Sequence, residues 1–233
     1  MSIAQNLNHV REAIADAARR AGRDPAGVQL LAVSKTFGAD AVITAAEAGQ
    51  RAFGENYLQE AVEKIAQVKA LRPDLELAWH FIGPIQSNKT RPVAEHFDWV
   101  HAVDREKIAR RLSEQRPAHL APLNICLQVN VSGEDSKSGV APEELSALAQ
   151  AVAALPNLRL RGLMAIPEPA DDYEAQRKPF ALLRELQAQL GAQGIVTDTL
   201  SMGMSADMAA AIAEGATIVR IGTAIFGKRD YAK

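Results

Sequence analysis

Residues 31–38 read "LLAVSKTF", an apolar run that leads directly into Ser34, Lys35 and Thr36. An amine where a packed strand meets a loop is partly desolvated, which lowers its pKa and makes it a nucleophile toward carbonyl carbon. A second cation, Arg220, stands inside another apolar run, "TIVRIG", two residues before Gly222 and so on the same side of an extended strand. A buried guanidinium needs a partner, because an unpaired buried charge is very costly. Two further segments, "LSMGMSADM" with Ser201 and Ser205 and "VRIGTAIFG" with Gly222 and Thr223, combine small residues with hydroxyls. Small residues let backbone N–H groups converge, and a helix start adds a positive dipole end, so these segments can cradle an anion. Taken singly, each feature also has a plain structural account: a solvated strand-end charge for Lys35, an ion pair to a core carboxylate such as Glu55 for Arg220, and tight turns with Ser205 as an N-cap.

These residues have to be positioned by regular elements. Strands are expected at "VQLLAVS", "RAFGE", "AWHFIG", "DWVHAV", "NICLQVNV", "LRLRGLMAI", "TDTLSMG" and "TIVRIG". Helix-period segments lie between them: "GADAVITAAEAG", "YLQEAVEKIAQVKAL", "DREKIARRLSEQ", "PEELSALAQAVAAL", "KPFALLRELQAQLG" and "SADMAAAIAEG". A further helix opens the chain, with Ile3, Leu7, Val10, Ile14 and Ala17 at spacings of three and four, arginines in its last turn and Gly22 beyond. The weakest helix is "PIQSNKTRPVAEHF", which contains Pro84 and Pro92. Strand–helix alternation predicts a parallel sheet. The turn after the first strand lacks a Gly-rich dinucleotide fingerprint, and eight units in 233 residues suit a closed (β/α)8 TIM barrel of roughly 250 residues. No linker or composition shift divides the chain, so residues 1–233 are expected to form one barrel domain.

In such a barrel the chemistry sits at the C-terminal ends of the strands, and the first strand closes against the eighth. Lys35, Arg220 and the anion cradle would then share one mouth. A ligand carrying both an aldehyde and a phosphate would use all of them. Pyridoxal 5′-phosphate (PLP) is such a molecule, and its pyridine nitrogen could meet Arg220. Other polar residues at strand ends are Asn56 in "FGENY", His80 in "WHFIG", Lys89 in "QSNK" and Lys137 in "SGEDSKSG".

Composition limits the alternatives. Hydrophobic residues make up 48% and charged residues 23%, an ordinary balance for a globular protein, and the net charge of −2 gives no nucleic-acid or anionic-membrane footprint. The single cysteine, Cys126, lies in an apolar run and reads as a small buried hydrophobe, consistent with a reducing compartment. The first residues, "MSIAQNLNHVREAIADAARRAG", have no secretory pattern, and no stretch approaches the roughly 20 apolar residues of a spanning helix; a cytoplasmic location is expected.

The chain resembles the pyridoxal phosphate homeostasis proteins (the YggS/PROSC group), single-domain relatives of the barrel domain of alanine racemase. The resemblance is carried by "AVSKTF", "FGENYLQEA", "WHFIGPIQSNK", "VNVSGEDSKSG", "RGLMAIP" and "LSMGMSADMAAAIAEGATIVRIGTAIFGKR", from residue 32 to 229. It implies a fold-type III PLP barrel with the cofactor as a Schiff base on Lys35. It also implies that Ser201, Ser205, Gly222 and Thr223 surround the phosphate, that Arg220 faces the pyridine nitrogen and that Asn56 touches the cofactor. Lys89 and Lys137 would be solvated charges or a secondary anion site, and His80 a cofactor neighbour or a core histidine. The function implied is intracellular PLP (vitamin B6) homeostasis, holding the cofactor and passing it on to PLP-dependent apoenzymes, without robust catalysis. A racemase of the alanine racemase type is the alternative. It needs a second base, which that enzyme draws from an additional domain, and of Tyr57, Tyr173 and Tyr231 only Tyr57 is expected near a strand end. Without that domain's dimer interface, a monomer is the expectation. A phosphate-handling aldolase using Lys35 is a third and weaker reading.

Overall fold

The computed structural model describes residues 1–135 and 138–231. Eight parallel strands, β1 (Gln29–Val33), β2 (Ala52–Glu55), β3 (Ala78–Phe81), β4 (Trp99–Val103), β5 (Leu123–Gln128), β6 (Leu158–Met164), β7 (Thr199–Ser201) and β8 (Ile218–Ile221), form a barrel closed by β1 against β8. The strands are short and apolar on both faces, because one face meets the barrel interior and the other the helices. Each strand leads into a helix: α2 (Ala39–Glu47), α3 (Leu58–Leu71), α4 (Thr90–His96), α5 (Glu106–Gln115), α6 (Leu145–Ala153), α7 (Tyr173–Ala192), α8 (Met208–Ala213) and α9 (Thr223–Phe226).

The last helix, α9, is a single turn and leaves part of the outer ring bare. The opening helix, α1 (Ile3–Arg20), covers that gap. It buries Leu7, Val10, Ile14, Ala17 and Ala18, and Ser2 with Gln5 forms a capping box at its start. Asn6 Nδ2 donates to the Ile225 carbonyl at 2.9 Å, and Arg23 Nη1 donates to the carbonyls of Ile212 and Ala216, both at 2.8 Å. Both ends of the ring are thereby tied together.

Three expected helix starts shift. Helix α7 begins at Tyr173 rather than Lys178, because the Asp172 carboxylate caps it at Ala175 N and Pro179 is accommodated inside. Helix α8 begins at Met208, with Asp207 in the cap position, so Ser205 is not its N-cap. The segment with two prolines forms a 3-10 turn (Ser87–Lys89) and then α4, with Pro92 in the first turn, where its missing N–H costs nothing.

Strand alternation sorts the side chains into two sets. Leu30, Ala32, Val219 and Ile221 join the large core between strands and helices, while Leu31, Val33, Ala52, Ile82 and Ile218 form a separate cluster inside the barrel. Ala102, Cys126 and Met164 make a third cluster, and both small clusters pack on Trp99. Cys126 is fully buried, which pushes its thiol up to about 12 and leaves it inert. The interior is narrow. At Gly162, beside a register shift between β5 and β6, a Cβ would lie 1.8 Å from the Thr199 carbonyl oxygen, so only glycine lets β6 approach β7. Among the described residues no helix is long and apolar enough to cross a membrane.

Candidate functional site

The backbone on both sides of Lys35 is clamped by a buried ion pair that the sequence reading did not identify. Lys64 of α3 is 3% exposed and reaches Glu55 Oε1 at 2.5 Å, the Ser34 carbonyl at 2.8 Å and Glu60 Oε1 at 3.0 Å. Ser34 Oγ donates to the same Glu55 oxygen at 2.9 Å, and Thr36 N donates to Glu60 Oε1 at 2.7 Å. Thr36 takes a left-handed φ of 69°, so the chain turns sharply just after the lysine. Lys35 itself is half-buried. Burial lowers its basicity first, and the nearby charge of Arg229 lowers it further. The side chain is therefore held on a rigid strand end as a comparatively weak base. A trace of the clamp lay in the α3 pattern, since Lys64 shares an apolar stripe with Ala61, Ile65 and Val68 and follows Glu60 by four residues.

Arg220 lies level with Leu31, four residues below Lys35 on the neighbouring strand. It is buried, and it does not pair with Glu55, whose partner is Lys64. Its Nη1 donates to Ser201 Oγ at 2.7 Å and its Nη2 to the Ala165 carbonyl at 3.0 Å; among the described residues no carboxylate forms an ion pair with it. Burial pushes the guanidinium down only to about 10, so it stays charged at neutral pH. Behind it, Ser201 Oγ lies 2.8 Å from His101 Nδ1, and His101 Nε2 lies 2.8 Å from His80 Nδ1. His80 stacks on Trp99 at 5.1 Å between ring centroids. Burial pushes His80 down to about 3 and His101 well below its usual value, so both rings are neutral. His80 is thus a core histidine within a polar chain, and Ser201 turns its hydroxyl to Arg220 and His101. His101, in "DWVHAV", gave no signal in sequence beyond a polar residue inside an apolar strand.

Above Arg220 the mouth is built from small and cationic groups. Gly222 is buried, and a Cβ there would meet Arg229 Nη2 at 2.6 Å and the Val33 carbonyl oxygen at 3.1 Å. Thr223 and Ser205 are exposed on the same rim. Among the described residues, four buried polar side-chain atoms in this region have no hydrogen-bond partner: Thr36 Oγ1, Glu55 Oε2, Asn56 Oδ1 and Arg229 Nε. Arg229 Nη1 donates to the Tyr231 hydroxyl at 3.5 Å, and that hydrogen bond, with the charges of Arg229 and Lys35, holds the phenol's pKa below the usual tyrosine value. So Tyr231 belongs to this mouth, where the sequence points only to Tyr57. Tyr57 is 47% exposed and lines a neighbouring groove of about 900 Å³ with Asn56, Ile85, Lys89 and Arg105. Lys89 therefore joins the groove rather than the mouth, and Lys137 lies outside the described residues. Unsatisfied polar atoms, a cationic rim and a cradle only glycine can leave open are what an anionic, hydrogen-bonding ligand would require. The donor set fits PLP.

The model of the alanine racemase N-terminal domain matches residues 5–230, and the chain belongs to that family. A pyridoxal phosphate homeostasis protein of Pseudomonas aeruginosa is 67% identical over 230 residues, covering 99% of this chain and 97% of that protein. One from Escherichia coli K12 is 57% identical over 236 residues, covering 99% and 98%. These identities place the chain among the pyridoxal phosphate homeostasis proteins. Of solved structures, PipY of Synechococcus elongatus with PLP bound matches at a TM-score of 0.83 and 38% identity, over 97% of this chain and 100% of that one. An alanine racemase of Corynebacterium glutamicum, 17% identical with a TM-score of 0.70, shares the fold over 99% of this chain and 62% of its own.

Proposed function

We propose that this protein binds PLP as a Schiff base on Lys35 and acts in intracellular PLP homeostasis by holding the cofactor and passing it on to PLP-dependent apoenzymes. The bound cofactor supplies a reactive aldehyde and an electron-accepting ring. The observation that carries the reading is the unneutralised Arg220 below a half-buried, weakly basic Lys35, with cationic and hydroxyl groups at the rim. Lys35 binds the aldehyde carbon, Gly222, Thr223, Ser205 and Arg229 bind the phosphate, and Arg220 donates to the pyridine nitrogen. Ser201 serves this site through Arg220, and Asn56 offers Oδ1 as an acceptor beside the mouth.

Arg220 also bears on catalysis. A guanidinium can only donate, so it keeps the ring nitrogen unprotonated and the ring a weaker electron sink. That supports carriage over carbanion chemistry, as does a rim where Ser205, Thr223 and Tyr231 are open to water. Racemisation keeps one point in its favour: Tyr231 places a phenol near Lys35 and Arg229. The test is the visible spectrum of purified protein incubated with PLP, beside Lys35→Ala. A yellow band in the wild type that borohydride traps on Lys35 and that the variant lacks is the expected result; no band in the wild type would sink the proposal. A Lys35-dependent turnover of alanine enantiomers that also falls in Tyr231→Phe would move the protein to the racemases.

A further inference from the structure

Behind Arg220 the polar chain Ser201, His101 and His80 runs across the barrel interior, over β7, β4 and β3, and the proposed binding of PLP makes no direct use of the two histidines. We infer that these residues form a one-directional hydrogen-bond relay that positions Arg220: Arg220 donates to Ser201, Ser201 to His101 Nδ1, and His101 Nε2–H to His80 Nδ1. Both imidazoles are then neutral and carry their proton on Nε2.

The direction follows from counting protons. Arginine only donates, so Ser201 Oγ accepts from Nη1. Ser201 is fully buried, and among the described residues its hydroxyl proton has one acceptor in reach, His101 Nδ1 at 2.8 Å. If that nitrogen accepts, a neutral His101 must carry its proton on Nε2 and donate it across 2.8 Å to His80 Nδ1. His80 then carries its own proton on Nε2, the one ring nitrogen of the pair with no partner. The opposite direction leaves two groups unpaired, the Ser201 hydroxyl proton and a bare His80 Nε2 lone pair. Each buried unpaired group costs on the order of 1–3 kcal/mol, so the first arrangement wins. Arg220 and His80 both act electrostatically against a charge on His101, which keeps the relay neutral.

The relay holds a cation without neutralising it. A carboxylate in place of Ser201 would fix the guanidinium equally well and would cancel its charge toward the mouth. Ser201 and the Ala165 carbonyl occupy two of its five N–H groups and leave the others to a ligand. This second half of the inference rests on the proposed PLP site; the proton positions do not.

Long-range ¹H–¹⁵N correlation of histidine rings in the PLP-free, full-length protein reads the tautomers directly, with His80→Phe and His101→Leu assigning two of the five histidines. Neutral rings with the proton on Nε2 are expected for both. A proton on His101 Nδ1, or an imidazolium at either site near neutral pH, would overturn the relay. Ser201→Ala is expected to release His101 into a mixture of tautomers, and an unchanged His101 there would remove Ser201 as the donor. PLP affinity, from the visible band, tests the positioning. Ser201→Ala and His101→Leu are expected to bind about tenfold more weakly, the loss of one hydrogen bond to a charged group. His101→Gln, which can still accept from Ser201 and donate to His80, is expected to stay within about threefold of wild type. Equal losses in the Leu and Gln variants would overturn positioning through hydrogen bonds. If the wild type binds no PLP, the binding proposal fails while the ring tautomers still decide the relay.

Discussion

The barrel holds two buried cations in opposite ways. Lys64 is matched by Glu55 at 2.5 Å and Glu60 at 3.0 Å, with the Ser34 carbonyl as a third acceptor, so its charge is spent within the protein. Among the described residues Arg220 donates only to neutral acceptors, a serine hydroxyl and a backbone carbonyl. The first arrangement is architecture: it fixes the strand end that carries Lys35. The second leaves a full charge facing a mouth, which a structural ion pair would not do. Burial does not separate the two, since Lys64 is 3% exposed between α3 and β2 and Arg220 is 5% exposed inside the barrel. The sign and distance of the nearest carboxylate do.

The largest effect is expected at Lys64. Lys64→Met strands the buried Glu55 carboxylate, and a loss of about 3–5 kcal/mol of stability is expected in chemical denaturation. Glu55→Gln combined with Lys64→Met should recover part of that loss, because no charge is then left alone. Additive losses would show that the pair is not the coupled unit described. Arg220→Met is the matching experiment. It removes a charge that no carboxylate among the described residues pairs with directly, Asp207 acting on it only from a distance, so the PLP-free fold should lose clearly less than in Lys64→Met, while PLP retention falls. A larger stability loss at Arg220 would reverse the assignment of roles.

Acid sharpens the contrast further. His80 is neutral when folded, with its value pushed from 6.5 to about 3, and His101 is depressed in the same direction. Below their unfolded values the unfolded chain binds protons that the folded one refuses, so stability is full above about pH 6.5 and falls with pH toward the folded values. Each ring adds up to about 1.4 kcal/mol per pH unit, and the window from about pH 6.5 to 5 lies above the ordinary carboxylate range, apart from Glu55, whose carboxyl burial pushes up. Denaturation midpoints should fall across it in the wild type and less steeply in His80→Phe. An equal slope would mean that His80 is not held neutral. The smallest effect belongs to the surface: Glu106→Ala removes a pair with Arg110 at 2.6 Å whose side chains are about half exposed, and should cost no more than about 0.5 kcal/mol.

Much of this was legible in sequence because it is local. Eight short apolar runs alternating with helical periods sufficed for the barrel, and Lys35 and Arg220 stood out as charges inside apolar strands. What escaped depends on contacts across the ring. The Lys64–Glu55 pair joins α3 to β2, Ser201 meets His101 a hundred positions away, and no spacing rule links them. Arg229 carried no role in the sequence and Tyr231 was not expected near a strand end, yet the segment after α9 sets both beside Lys35. The start of α7 was misread because Pro179 resembles a first-turn proline, whereas the cap that sets the helix is Asp172.

The covering of the short α9 by α1 also orders events in time. The Asn6 to Ile225 contact spans 219 positions, and β1 cannot pair with β8 until residues near 220 exist. Contacts this distant in sequence carry the largest loop-closure cost and form late. A chain emerging from the ribosome therefore carries Lys35 long before it carries Arg220, and the strand with the amine waits with an open edge. The site comes together in the step that closes the ring, so a truncated or stalled chain would present a reactive lysine without the guanidinium and cradle that make it selective.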